Sequence, residues 1–106
     1  MKDLGDLMKQ ARDMQARLEQ AQADLANAEV VGESGGGLVK VTLTGRYEAR
    51  KVEIDSTLTG EDRGLLEDLV AAAVTDAARR VERMQKEKMS SFTKGLGLPF
   101  GINFPS

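Results

Sequence analysis

The residues of this sequence that are best suited to chemistry are basic, and they recur along one predicted helix. Arg79, Arg83 and Lys86 follow one another at intervals of four and three residues, which places them on one side of that helix. Residues 79–94 carry six basic and two acidic side chains, a net charge of +4, within a chain of net charge −2. Such a row can bind phosphate groups. Alternatively, it only complements the helix dipole and increases solubility, and composition alone leaves both interpretations open.

The sequence does not predict catalysis. It contains no histidine and no cysteine, so the commonest general base and all thiolate metal sites are excluded. The paired acids Glu61/Asp62 and Glu67/Asp68 are interpreted as favourable charges near a helix start rather than as a magnesium site. The residues after the run Gly35–Gly37 do not complete a phosphate-binding loop or a dinucleotide fingerprint. We therefore expect no enzyme activity, no cofactor and no bound metal.

The first element that could position the basic residues is a helix over residues 3–28. Apolar residues recur there at alternating intervals of three and four, which is the heptad pattern of a helix with one apolar seam. The seam can pack on the chain's own second helix or on the same helix of a second copy, and the pattern leaves both open. The seam consists of Leu4, Leu7, Ala11, Met14, Leu18, Ala21, Leu25 and Ala28.

Three short strands are predicted between the two helices. Residues 39–44 alternate apolar and polar side chains, which is typical of a half-buried strand. Residues 29–34 add a strand before the glycine run, and a third strand follows a turn at residues 45–46. A two-residue turn there predicts that Val39 pairs with Val52.

A second helix is predicted from about residue 61 to residue 90. Thr59 followed by Asp62 predicts the helix start, with Glu61 and Asp62 near the positive end of the helix dipole. Its apolar residues recur at helical spacing, and the basic row lies almost opposite them. This apolar stripe contains Leu66, Val70, Ala73, Val74, Ala77, Val81 and Met84.

The length of 106 residues indicates one domain, which we place at residues 1–94. Residues 95–106 are rich in glycine and proline and are predicted to form a tail, in which Leu98, Phe100 or Phe104 docks on another surface. The N-terminal residues are acidic where a signal peptide needs an apolar run, and no apolar run approaches the length that spans a bilayer. We expect a cytoplasmic protein that does not associate with membranes.

Both helices are too long for a compact body of this size. Thirty helical residues make a rod of about 45 Å, whereas a compact chain of this length has a radius of gyration of about 13 Å. The apolar stripes continue into the projecting parts, and a three-stranded sheet leaves an open edge. A two-fold dimer would cover these surfaces and would double the basic row. Two basic arms could straddle duplex DNA and contact phosphates rather than read bases.

Several blocks of residues carry a resemblance to a known family. Residues 33–41 read Glu-Ser-Gly-Gly-Gly-Leu-Val-Lys-Val, and residues 52–55 read Val-Glu-Ile-Asp. With residues 66–73 and 87–89 of the second helix, they make nearly the whole chain resemble the YbaB/EbfC family of bacterial nucleoid-associated proteins. The resemblance implies an α+β fold in which αβββα subunits, each with a small antiparallel sheet and two long projecting helices, form a tweezer-like homodimer. It also implies DNA binding on the nucleoid with altered DNA conformation.

Our hypothesis is therefore a homodimeric protein that binds double-stranded DNA and acts in nucleoid organisation, gene regulation and DNA protection. The alternative is a protein-interaction adaptor for recombination or replication machinery, associated with DNA only indirectly. No small-molecule substrate is expected in either case. The predicted DNA-binding residues are Arg79, Arg83 and Lys86, followed by Arg80, Lys88, Lys9 and Arg12.

Overall fold

The computed structural model describes residues 3–58, 60 and 62–95, which form two long helices and one sheet. The predicted αβββα order is confirmed. Thr59, Glu61 and all of the predicted tail except Gly95 lie outside the described residues. The elements are helix α1 (Leu4–Asn27), strands β1 (Glu29–Ser34), β2 (Val39–Thr44) and β3 (Ala49–Ile54), a short 3-10 turn (Ser56–Leu58) and helix α2 (Arg63–Gly95).

Helix α1 is capped at its start and has no buried residue. The Asp3 carboxylate accepts a hydrogen bond from the Asp6 N–H at 2.9 Å, which satisfies one of the free donors of the first turn. The seam residues Leu4 and Leu7 are 72% and 53% exposed. Partly buried side chains occur only from Ala21 onward. Over most of its length, the heptad seam is therefore not covered by the chain's own second helix.

The sheet is antiparallel, with strand order β1-β2-β3. The turn between β1 and β2 uses Gly35, Gly36 and Gly37, with φ angles of 61°, 68° and 98°. Glycine adopts this left-handed conformation at little cost because it has no Cβ. The glycine run thus forms the tight strand connection that the sequence predicts.

The predicted pairing of Val39 with Val52 is wrong by two residues. The connection between β2 and β3 contains three residues, 45–47, rather than two. The Tyr47 N–H donates to the Thr44 carbonyl at 2.9 Å, and Tyr47 has a φ of 64°. A β-bulge farther along the strand pair adds one more residue, so Val39 pairs with Ile54. Since the two extra residues shift the register by an even number, Val52 stays on the same face of the sheet as Val39.

The core lies between one face of the sheet and the first part of α2. The helix backbone approaches the sheet closely, since a Cβ added at Gly32 would lie 2.2 Å from the Ala77 nitrogen and 2.6 Å from the Ala73 carbonyl oxygen. Small residues on both elements allow this approach. The buried hydrophobic residues are Val39, Val41, Leu43, Leu58, Ala73, Ala77 and Val81.

Helix α2 covers one edge of the sheet and leaves the other open. The Glu33 N–H on β1 donates to the Asp76 carboxylate at 2.9 Å, and the Ser34 hydroxyl donates to the Leu69 carbonyl at 2.6 Å. All six residues of β3 are exposed, including Val52 at 50%. The open sheet edge predicted from the strand count is therefore β3.

The bounds of α2 differ from the prediction mainly at the C-terminal end. The Asp62 carboxylate accepts hydrogen bonds from the N–H groups of Gly64 and Leu65 at 2.8 and 3.4 Å, so Asp62 caps the helix, which begins at Arg63 rather than near residue 61. The helix continues to Gly95, beyond the predicted end near residue 90. Its 33 residues make a rod of about 50 Å.

The helices project far beyond the sheet. The described chain measures 72 × 24 × 15 Å and has a radius of gyration of 19.9 Å. A compact chain of this length would have a radius of gyration of about 13 Å. The projection predicted from helix length is therefore confirmed.

Candidate nucleic-acid interface

The basic row of Arg79, Arg83 and Lys86 lies on the side of α2 that faces solvent, and all three residues are exposed. Ala77, in contrast, packs against the sheet and has no exposed surface. At about 100° per residue, Arg79 and Lys86 lie roughly 160° and 180° around the helix from Ala77, and Arg83 lies roughly 120° from it. The packed face of α2 therefore leaves the basic row free.

The basic row crosses from the body of the protein onto the projecting part of α2. Val81 is the last buried residue of the helix. Arg79 precedes it, whereas Arg83 and Lys86 follow it. From Arg79 to Lys86 the helix rises about 10 Å, which equals three base-pair steps along the axis of a DNA duplex at about 3.4 Å each. The row can therefore follow a short stretch of a phosphate backbone.

Arg80 differs from the basic row because it has an acidic partner. Its Nε lies 3.0 Å from the Asp76 carboxylate, one helical turn away. The hydrogen bond from the Glu33 N–H, the hydrogen bond from Arg80 and the nearby positive charges together lower the pKa of Asp76. Neither Arg79 nor Arg83 forms an ion pair among the described residues. Arg80 is thus less available to a phosphate than they are.

Lys88 lies on a different side of α2 from the basic row. It is about 20° around the helix from Ala77, beyond the end of the sheet. Together with Arg17 of α1, it lines a cleft between the two helices. The structure therefore does not bring Lys88 into line with Arg83 and Lys86.

Lys9 and Arg12 lie on α1, so they belong to a different rod. Both are exposed and three residues apart on the helix. Asp6 precedes Lys9 by three residues, and Asp13 follows it by four, so acidic side chains share its surface. This pair presents a weaker positive field than the basic row.

Gln85 is a positioning residue that the sequence analysis missed. Its side-chain N–H donates to the Gly45 carbonyl at 2.8 Å, which ties α2 to the turn between β2 and β3. A Cβ added at Gly45 would lie 2.2 Å from the Leu25 carbonyl oxygen, so the end of α1 rests on the same turn. Gln85 thus fixes the point from which both helices project. Its only sequence signal is a polar residue beside the apolar stripe.

The described part of the chain holds no cluster of three or more acidic residues arranged for a metal ion. Glu67 and Asp68 are exposed near the start of α2, and Glu61 lies outside the described residues. No described helix is both long enough and apolar enough to cross a lipid bilayer.

An exposed row of cations on a projecting helix is a candidate surface for a polyanion, and comparison with known proteins shows the family of the chain. Residues 1–96 match the YbaB/EbfC DNA-binding family, so both helices and the whole sheet are included. The chain therefore belongs to the YbaB/EbfC DNA-binding family. The family resemblance inferred from the sequence is confirmed.

One relative and one solved structure illustrate this similarity. A nucleoid-associated protein of Hahella chejuensis (strain KCTC 2396) is 53% identical over 103 residues, which cover 97% of this chain and 95% of the relative. The crystal structure of an uncharacterised protein from Helicobacter pylori superimposes with a TM-score of 0.69 at 24% identity. That match covers 86% of this chain and 97% of the other, and it shows a shared fold.

Proposed function

We propose that this protein binds duplex DNA as a homodimer, mainly through phosphates, and changes the path of the DNA. The observation that carries this proposal is the exposed row of Arg79, Arg83 and Lys86, which runs from the packed part of α2 onto its projecting part. The protein would act on the nucleoid in the cytoplasm, in nucleoid organisation, gene regulation and DNA protection. It would act by binding rather than by catalysis.

The phosphate part of the proposal follows from the chemistry of the row. Cations that neutralise phosphates release condensed counterions, so affinity falls with salt by a log–log slope of about −0.9 per contact. Side chains that lie along a backbone position the protein but carry no direct sequence information. We therefore expect similar affinities for unrelated duplexes and a strong dependence on salt.

The homodimer follows from surfaces that the single chain leaves uncovered. Strand β3 has a free edge, and its apolar residues Val52 and Ile54 are 50% and 41% exposed. An open edge with apolar side chains is a template for another chain. The seam of α1 adds Leu7 and Met14, each 53% exposed. Because a two-fold interface uses the same surface twice, one such contact would cover both copies and give two basic rows.

The test is a titration of fluorescent duplex DNA at several salt concentrations. The triple variant Arg79→Glu/Arg83→Glu/Lys86→Glu should reduce the magnitude of the log–log slope by about 5, because the homodimer loses three phosphate contacts in each of its two copies. Its matched control, Arg79→Lys/Arg83→Lys/Lys86→Arg, retains the charges and should retain binding. An affinity that is independent of salt, or a triple variant that binds as the parent does, would contradict the proposal.

Two further measurements test the remaining parts of the proposal. Sedimentation equilibrium should give twice the mass of the chain. The mass of a single chain would contradict the proposed homodimer. Energy transfer between dyes at the two ends of a duplex should change on binding. An unchanged transfer efficiency at saturation would show that the DNA keeps its path.

A further inference from the structure

Asp76 occupies the position on α2 where the sheet and the basic residues meet. It faces the edge of β1, and its carboxylate accepts a hydrogen bond from the Glu33 N–H at 2.9 Å. The same carboxylate oxygen accepts a hydrogen bond at 3.0 Å from the Nε of Arg80, one helical turn farther along α2. One acidic side chain therefore attaches α2 to the sheet and also neutralises a cation beside the basic row.

The ion pair between Asp76 and Arg80 differs from an ordinary surface ion pair. Such pairs usually contribute little, because two mobile side chains must be held in one geometry. Here the Glu33 N–H already holds the carboxylate, so only Arg80 is further restrained. The hydrogen bonds from Glu33 and Arg80 lower the pKa of Asp76, so its carboxylate is charged at neutral pH. We therefore expect the pair to stay closed in the free protein.

Arg80 lies close enough to the basic row to join it when it is released from Asp76. It is about 60° around α2 from Arg83 and about 4.5 Å before it along the helix axis. A released guanidinium could contact the same phosphate backbone as Arg83. An arginine that stays paired with a carboxylate adds no net positive charge, so it displaces no further counterions from DNA.

We propose that Asp76 holds Arg80 out of the DNA contact and so keeps the affinity for DNA below the value that the cations of α2 would allow. This role of Asp76 rests on the proposed function, the binding of duplex DNA by a homodimer. In the complex, each copy would use its basic row while the pair of Asp76 and Arg80 stays closed. If Asp76 instead directed Arg80 towards a phosphate, removing its charge would weaken binding.

The test is a titration of fluorescent duplex DNA with Asp76→Asn at several salt concentrations. Asparagine keeps a side-chain oxygen for the Glu33 N–H but lacks the charge that holds Arg80. Because each copy gains one phosphate contact, the magnitude of the log–log slope should rise by about 2, and the affinity at physiological salt should rise about 5-fold. A role of Asp76 in the fold alone would raise neither value. Unchanged or weaker binding would overturn the proposal.

Two further variants separate the release of Arg80 from a general change of charge. Asp76→Asn/Arg80→Gln should bring the slope and the affinity back to those of the parent, because the released cation is absent. Asp68→Asn makes the same substitution at an exposed position, about 18 Å before Arg80 along α2, beyond the screening length of about 8 Å. It should change the affinity less than about 2-fold. Equal gains from Asp76→Asn and Asp68→Asn, or a gain that survives Arg80→Gln, would overturn the assignment to Arg80.

The Nε–H signals of the arginine side chains in NMR spectra report the ion pair directly. In the parent protein, saturating DNA should shift the signals of Arg79 and Arg83 and leave the signal of Arg80 in place. In Asp76→Asn, DNA should shift the Arg80 signal as well. A shift of the Arg80 signal in the parent would show that the pair opens on DNA, which would overturn the proposal.

The parent titration separates the role of Asp76 from the proposed function. If the parent binds with the expected salt dependence and Asp76→Asn gains nothing, only the role of Asp76 is wrong. If the parent does not bind duplex DNA, the proposed function is wrong and the role of Asp76 is wrong with it.

Discussion

Helix α2 contains two regions that differ in what their side chains do. Residues 63–81 pack on the sheet, with Ala73, Ala77 and Val81 completely buried. Residues 82–95 include no buried residue where the structure describes them, and they carry four basic side chains. The basic row begins at the boundary, with Arg79. One continuous helix therefore joins a region that packs closely on the sheet to a projecting region that carries basic side chains.

This difference predicts that substitutions in the two regions of α2 affect different properties of the protein. In the packed region the limit is space, because the helix backbone lies against Gly32 and leaves no room for a side chain. In the projecting region the side chains contact solvent, so their size matters little and their charge matters more. Stability should respond to the first region and DNA affinity to the second. The following predictions test that separation.

The largest effect is expected for Gly32→Val. A Cβ at Gly32 would lie 2.2 Å from the Ala77 nitrogen, and backbone atoms cannot move aside as a flexible side chain can. We expect the free energy of unfolding to fall by about 3 kcal/mol or more, measured by urea denaturation. The control is Gly95→Ala, where an added Cβ meets no atom within 4 Å and the change should be below about 1 kcal/mol. Normal stability of Gly32→Val would disprove the close packing.

Neutralising the basic row should have the next largest effect. It should lower the affinity for DNA and leave the stability of the fold nearly unchanged. Arg79→Gln/Arg83→Gln/Lys86→Gln should weaken DNA binding about 100-fold at 0.15 M salt. The free energy of unfolding should change by less than about 0.5 kcal/mol. Lys9→Gln/Arg12→Gln on α1 should weaken binding by less than about 10-fold, because each copy loses two contacts rather than three and Asp6 and Asp13 share that surface. Equal losses from the two helices would show that the basic row has no special role.

A smaller effect on stability is expected where the two helices meet the sheet. Gln85→Ala removes the hydrogen bond to the Gly45 carbonyl, which should cost about 1 kcal/mol. Gln20 also donates a side-chain hydrogen bond, but to the exposed Asp24 carboxylate. Gln20→Ala should therefore change stability less than Gln85→Ala. If the two variants unfold at the same urea concentration, Gln85 does not secure this joint.

The smallest effect should appear in the pH dependence of stability. Hydrogen bonds and nearby cations lower the pKa of Asp76, so the folded state favours its charged form. The resulting stabilisation is complete above the ordinary aspartate pKa of about 3.9 and is lost as the pH falls through the lower value in the folded state. Asp76→Asn should therefore be less stable than the parent at pH 7, and the difference should shrink towards pH 2. If the stability difference between Asp76→Asn and the parent is constant with pH, the charge of Asp76 is not its cause.

The order and type of the elements could be predicted because their periodicity is strong. The heptad spacing in α1 and the alternation in β2 each indicate one kind of structure. The register of β3 could not be predicted. Tyr47 occupies a left-handed position where glycine is usual, and the bulge beyond it has no sequence signal. Local conformation there depends on tertiary contacts rather than on residue type.

For the candidate site, the sequence predicted on which side of α2 the basic row lies, but it did not predict what surrounds Lys88 and Gln85. The angle between the basic row and the packed stripe follows from the helical repeat alone. The position of Lys88 in the cleft depends on how α1 lies beside α2, and no residue pattern fixes that angle. The hydrogen bond from Gln85 to Gly45 joins residues forty positions apart, so the sequence pattern could not predict it.

If the protein binds duplex DNA as proposed, the elongated shape of each chain would set the length of DNA that it covers. A single chain that is 72 Å long would cover about 21 base pairs if it lay lengthwise on a duplex, at about 3.4 Å per base pair. Neighbouring chains in that orientation would exclude one another from the same stretch, so the maximum number of chains per length of DNA would be set by chain length rather than by charge. Fragments shorter than about two helical turns would leave one end of the protein without nucleic acid beneath it.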